Sequence, residues 1–167
     1  MNTLFQYFKV NVFIVALFGL VALTSVPMVQ AQETTVNIEG SWFFTVTPPA
    51  AVRPPFHVLV SFSAGGVFFA DTQNDLLPPV ASPQHGSWTR LSDGNIGSTQ
   101  YSFIHDPTGH AVGTIKVVAV YQLTDKDSLV GVGRQSLCDL LGQNCFQFPG
   151  SAQIVGTRIP VETLVLP

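Results

Sequence analysis

Charge is scarce in this sequence. Of 167 residues, seven are Lys or Arg and ten are Asp or Glu. The basic residues stand singly, as Arg53, Arg90, Lys116, Lys126, Arg134 and Arg158 beyond the N-terminal Lys9. Nothing resembles the clustered basic stripe that a nucleic-acid backbone requires, so no nucleic-acid partner is expected. Cysteine is limited to Cys138 and Cys145, too few for a four-thiolate metal site. Glutamate occurs only at Glu33, Glu39 and Glu162, which leaves no basis for a carboxylate-pair hydrolase. No Gly-x-Ser-x-Gly elbow is present, and the abundant serines have no base and orienting group at motif spacing. Sustained apolar residues at three-and-four spacing are also missing from residue 32 onward, which argues against helices.

The longest apolar run spans residues 10–23, broken only by Asn11 and Gly19. That is short of the roughly 20 residues a membrane-spanning helix needs. Lys9 precedes the run, Pro27 follows it, and Val29-Gln30-Ala31 supplies small residues at the spacing of a cleavage site. This is the layout of a secretory signal, expected to occupy residues 1–31 and to leave no membrane span once removed. The expected location is outside the cytoplasm, either secreted or periplasmic. Residues 32–167 then form a single domain, with six basic and ten acidic residues and a net charge of −4. An oxidising compartment favours a disulfide between Cys138 and Cys145. Closing that eight-residue loop is worth about 2.5 kcal/mol by chain entropy.

The expected domain is made of strands. Runs rich in Val, Ile, Phe, Thr and Tyr cover residues 38–47, 56–63, 67–70, 86–91, 96–105, 110–123, 128–137 and 146–160. Between them stand Ala64-Gly65-Gly66, Ser92-Asp93-Gly94-Asn95, Asp106-Pro107-Thr108-Gly109 and residues 124–127, all with turn chemistry. Two connections are longer: the proline-rich residues 48–55, and residues 71–84 with Pro78, Pro79 and Pro83. The last run is expected to bend at Pro149-Gly150. Eight strands joined mostly by short turns predict an all-β fold: an eight-stranded antiparallel up-and-down barrel. A two-sheet sandwich is the alternative. The run 110–123 is apolar on one face and half apolar on the other, through Val112, Val118 and Val120. Such an outer face suits either ordinary surface valines or an interface in a homo-oligomer.

Gly40-Ser41-Trp42, at the start of the first strand, resembles the Gly-x-Trp pattern of lipocalins and the wider calycin barrels. Phe62-Ser63-Ala64-Gly65-Gly66 followed by His85-Gly86-Ser87-Trp88 is similar to small exported lipocalin-like bacterial proteins. The resemblance implies a barrel closed at one end by Trp42, with Arg158 from the last strand stacked across it. It also implies a small apolar or amphipathic ligand inside. The chain has no counterpart of the family's Thr-Asp-Tyr block and no evident C-terminal helix. Allene oxide cyclase and dirigent barrels are similar eight-stranded alternatives that assemble as trimers.

The aromatic residues that such a barrel would turn toward a ligand are Phe44, Phe62, Phe69, Trp88, Tyr101 and Tyr121, with His85 as a hydrogen-bonding neighbour at the mouth. His105 and His110 flank a turn with Asp106 between them and are read as polar turn residues, not as a metal site. No catalytic residue, metal or cofactor is expected. The functional expectation is a binding barrel of unknown specificity. A structural barrel assembling as a homo-oligomer, and a cyclase- or isomerase-like barrel, are the competing readings.

Overall fold

In a computed structural model, residues 37–50, 52–73 and 81–164 are described. The chain divides into two units, Met1–Glu33 and Thr34–Pro167, and the described residues belong to the second. The secretory signal expected at 1–31 therefore lies outside the described residues.

Nine strands run in chain order: β1 (Gly40–Thr47), β2 (Phe56–Ser63), β3 (Val67–Thr72), β4 (Gln84–Arg90), β5 (Ile96–His105), β6 (Ala111–Leu123), β7 (Ser128–Cys138), β8 (Phe146–Gln147) and β9 (Ala152–Arg158). Each of the first seven pairs antiparallel with the next; β9 then lies between β7 and β1 and closes the cylinder. The fold is an all-β, closed, eight-stranded antiparallel barrel, with β8 as a short extra strand on the far end of β7. Closure leaves those eight strands no free edge, which removes the template for edge-to-edge aggregation.

The expected last strand, 146–160, is divided. Pro149 has no N–H to donate and Gly150 adopts φ +82°, so the ladder stops there and restarts at Ala152. The expected long connection, 71–84, is shorter at both ends. Asp71 and Thr72 pair with Leu59 and Val58, and Gln84 pairs with Ala70. Strand pairing thus overrides the poor strand propensity of Asp71.

Period-two alternation sorts the side chains. Trp42 and Phe44 on β1, Val58, Val60 and Phe62 on β2, and Phe68 and Ala70 on β3 are buried, while Phe43, Leu59 and Phe69 between them are exposed. The same phase buries Ala119 and Tyr121 on β6, Leu129 on β7 and Ile154 on β9. A fully buried side chain of this size contributes about 1.5–3 kcal/mol, so this inward set is the main stabilising element.

Cys138 and Cys145 are joined, and the loop they close lies on the barrel wall. Thr114 Oγ1 donates to the Asp139 carbonyl at 2.9 Å, and the Gly142 backbone sits against the Tyr101 ring. Inside the loop the Asp139 carboxylate accepts from Leu141 N (2.9 Å), Gln143 N (2.8 Å) and Asn144 Nδ2 (2.8 Å). Those bonds hold its carboxyl below the ordinary range.

Candidate functional site

The two ends of the barrel differ. At one end lie the turns after β2, β4 and β6 and the segment that precedes β1. Trp42 is wholly buried there, and its Nε1 donates to the Ile38 carbonyl at 2.8 Å. The Arg158 guanidinium carbon lies 4.3 Å from the centre of the Trp42 ring. Its Nη1 donates to Glu39 O and its Nη2 to Asn37 O, both at 2.6 Å, while Nε donates to Lys126 O at 2.8 Å. One side chain from β9 therefore ties the N-terminal segment and the β6–β7 turn across the face of the indole. Gly40 has φ +120°, and a Cβ there would lie 2.8 Å from Arg158 Nη1. The glycine of the Gly-x-Trp pattern is what lets the arginine pass.

Above this plug aromatic rings pack the core. Phe62 meets Phe68 at 5.1 Å and Tyr121 at 5.6 Å between ring centres, and it meets Trp88 at 5.9 Å, all edge-on. Phe44 joins at 5.5 Å from Tyr121. Edge-to-face packing of this kind adds about 0.5–1.5 kcal/mol per pair beyond burial. Trp88 is half-buried, with its Nε1 donating to Ser63 O at 2.9 Å. Phe62 and Trp88 fill space at this level and do not reach the cavity above.

Toward the other end the packing stops, leaving a cavity of about 230 Å³. Phe44, Phe68 and Tyr121 form its floor; Val58, Val60 and Ile154 contribute to its walls, with Gln84 and Gln100 among them. Pro48, Pro49, Val52 and Arg53 from the proline-rich β1–β2 connection rim the mouth, and Phe148 to Ser151 from the β8–β9 connection face them. This volume exceeds the roughly 150 Å³ of a dry engineered cavity that admits benzene.

Of the seven residues expected to meet a ligand, Phe44 and Tyr121 line the cavity, and Phe62 and Trp88 pack in the core below it. Phe69, His85 and Tyr101 are on the outer surface. They are consecutive rungs of one ladder, with Phe69 opposite His85 and His85 opposite Tyr101, and the Phe69 and His85 rings are 5.1 Å apart. Lys116, opposite Tyr101, holds its ammonium 5.7 Å from that ring. These three residues are excluded from the interior by the same alternation that places Phe68, Gly86 and Gln100 inward.

Sequence reasoning passed over the polar part of the interior. Ser98, Gln100 and Ser102 face inward from β5, each 4 % exposed. Ser98 Oγ lies 3.0 Å from Gln100 Oε1 and 3.2 Å from the Tyr121 hydroxyl. Gln84 Nε2 donates to Thr72 Oγ1 at 3.1 Å. The signal was available: counting by two from Ile96 reaches all three polar residues before Ile104. At the β5–β6 turn, Asp106 Oδ1 accepts from Thr108 N, Thr108 Oγ1 and His110 N, at 2.9, 2.7 and 3.0 Å. That carboxylate organises its own turn.

Burial of Tyr121 pushes its hydroxyl up to about 12, against smaller opposing contributions from Ser98 and Gln100. An unfolded tyrosine ionises near pH 10, so above that pH the unfolded chain releases a proton that the folded barrel retains. Stability should therefore fall between pH 10 and 12 by about 2–3 kcal/mol on this account. Urea denaturation across this range should show a smaller decline in Tyr121→Phe. Equal declines in both proteins would mean that Tyr121 is not the group responsible.

Comparison with protein-family models, with characterised proteins and with solved structures finds no match to this chain. The geometry of the barrel therefore carries the functional argument.

Proposed function

We propose that this protein is an exported, lipocalin-like carrier that holds a small apolar or amphipathic molecule in the open half of its barrel. The observation that carries this reading is the 230 Å³ space with a largely apolar lining, open at one end and sealed at the other by Trp42 and Arg158. A protein that needed only a core would fill that space, since the side chains lining it forgo dispersion contacts that packing would supply. The lipocalin kinship is supported by the Gly40-Ser41-Trp42 pattern together with the stacked Arg158, and by the eight-stranded closed topology. Export is supported by the N-terminal apolar run and by the Cys138–Cys145 disulfide.

A second reading is favoured by one observation. Val118 and Val120 on β6, Val130 and Val132 on β7, and Val155 on β9 are all exposed on the outer wall. Val120 pairs with Val132, and Val130 with Val155, so the valines form one patch across three strands. Such a patch suits assembly into a homo-oligomer. Native mass spectrometry of protein purified from its own host separates the two readings in one spectrum. The carrier reading expects a monomer mass plus a discrete small-molecule adduct. A bare multimer with no adduct would favour the assembly reading and count against the carrier.

A further inference from the structure

The interior is apolar on most sides but carries an uncharged polar strip on β4 and β5, and that strip has hydrogen-bonding capacity to spare. A carboxamide offers two donor protons and two acceptor lone pairs. On Gln100, Ser98 occupies one acceptor position at 3.0 Å. The adjoining Tyr121 hydroxyl takes at most one N–H. On Gln84, one amide proton goes to Thr72, which leaves the second proton and the carbonyl oxygen. Among the described residues no fully enclosed side-chain nitrogen or oxygen lacks a partner, and both amides line the cavity.

The charges near this space narrow the ligand further. Among the described residues, the ionisable ones bordering it are Arg53, Arg134 and Tyr121. Arg53 lies at the mouth with its guanidinium 3.6 Å over the Phe56 ring. Arg134 is exposed and follows the buried Gly133, so alternation directs it to the outer wall. Among the described residues no carboxylate or ammonium borders the deep half. A charged group buried there would find no counter-charge and would lose its hydration uncompensated. A bare hydrocarbon would strip water from both amides and give nothing back.

We propose that the cavity selects an uncharged molecule with a compact apolar body and a hydroxyl or carbonyl oxygen, and that the Gln100 and Gln84 carboxamides bind that oxygen. The proposal rests on the carrier reading and adds the chemical class of the ligand. Set against a benzene-sized void of roughly 150 Å³, the space suits a body of about ten carbon atoms.

Three probes with one ring system test it: naphthalene, 2-naphthol and 2-naphthoate, measured by equilibrium dialysis against the purified protein at neutral pH. The expected result is 2-naphthol binding about tenfold more tightly than naphthalene, the ratio that one well-made hydrogen bond supplies, with 2-naphthoate weakest. Gln100→Leu should abolish the preference, so that 2-naphthol and naphthalene bind that variant with equal affinity. Gln84→Leu serves as an independent second variant, with a smaller loss, should the first not retain a cooperative melt. Equal affinities for naphthalene and 2-naphthol, unaltered by both substitutions, would overturn the ligand class while leaving the carrier reading in place. Preference for 2-naphthoate would also overturn it. Binding of none of the three would remove the carrier reading and this proposal together.

Discussion

Trp42→Ala should cost the barrel about 3–5 kcal/mol, a large share of the roughly 5–15 kcal/mol by which a domain of this size is stable. The indole is wholly buried, and no neighbouring strand can collapse into its place, because the closed cylinder fixes the positions of all eight. Its loss also leaves the Ile38 carbonyl without the Nε1 donor that now reaches it at 2.8 Å. In a thermal melt the midpoint should fall by on the order of 10 °C. Arg158→Leu should cost less, about 1–3 kcal/mol, since water can replace part of what the guanidinium gives to the carbonyls of Asn37, Glu39 and Lys126. The double variant should reveal a coupling of about 0.5–2 kcal/mol, the value of a cation stacked on an aromatic face. A Trp42→Ala protein that melts within two or three degrees of the parent would show that the sealed end is not a determinant of stability.

Gly86→Ala is expected to be the most damaging single-methyl addition. A Cβ at this position would stand 2.1 Å from the Thr99 carbonyl oxygen, 2.6 Å from Gln100 Cα and 2.8 Å from Gln100 Cβ. Two of those three atoms are backbone, so relief requires β4 and β5 to move apart, at the expense of their ladder bonds. Forced overpacking of this kind costs about 1–3 kcal/mol and at times more. The displaced strand carries Gln100, so 2-naphthol affinity should fall along with the melting temperature. Ser87→Ala, an exposed position on the same strand, should change stability by no more than about 0.5 kcal/mol. If the two alanine variants melt together, the close approach of β4 to Gln100 is not as tight as the geometry requires.

The cavity shows where reading residues by type and reading them by phase part company. Phe69 and Tyr101 were expected to turn their rings toward a ligand and His85 to hydrogen-bond it at the mouth, yet each immediately follows an inward residue: Phe68, Gln100 and Gln84. In Phe68-Phe69 the two rings must face opposite ways, and only pairing decides which is inside. Phe68 stands opposite the buried Phe62, which settles it. Tyr101 reverses the usual preference more fully, since the polar Gln100 faces in and the ring faces out. The ring is sheltered on the outer wall by Gly142 of the disulfide loop and by Lys116. Loop and lysine are distant from Tyr101 in sequence, so nothing local announced that shelter.

The chain alone determined the all-β class, the number of barrel strands, the turns at Gly65, Gly94 and Gly109, and the pairing of its two cysteines, because period-two alternation, turn chemistry and cysteine count are all local properties. The partnership of Trp42 with Arg158 came from a short pattern at one end of the chain and a lone arginine at the other. Whether the barrel is hollow was decided only in three dimensions. Empty space is the difference between the volume that eight strands enclose and the volume their inward side chains fill, contributed by residues as far apart as Phe44 and Ile154. The division into a packed lower half and an open upper half, and the placing of two glutamines along the open half, follow from that global sum and from register, where a slip of one residue would turn every side chain of a strand to the opposite face.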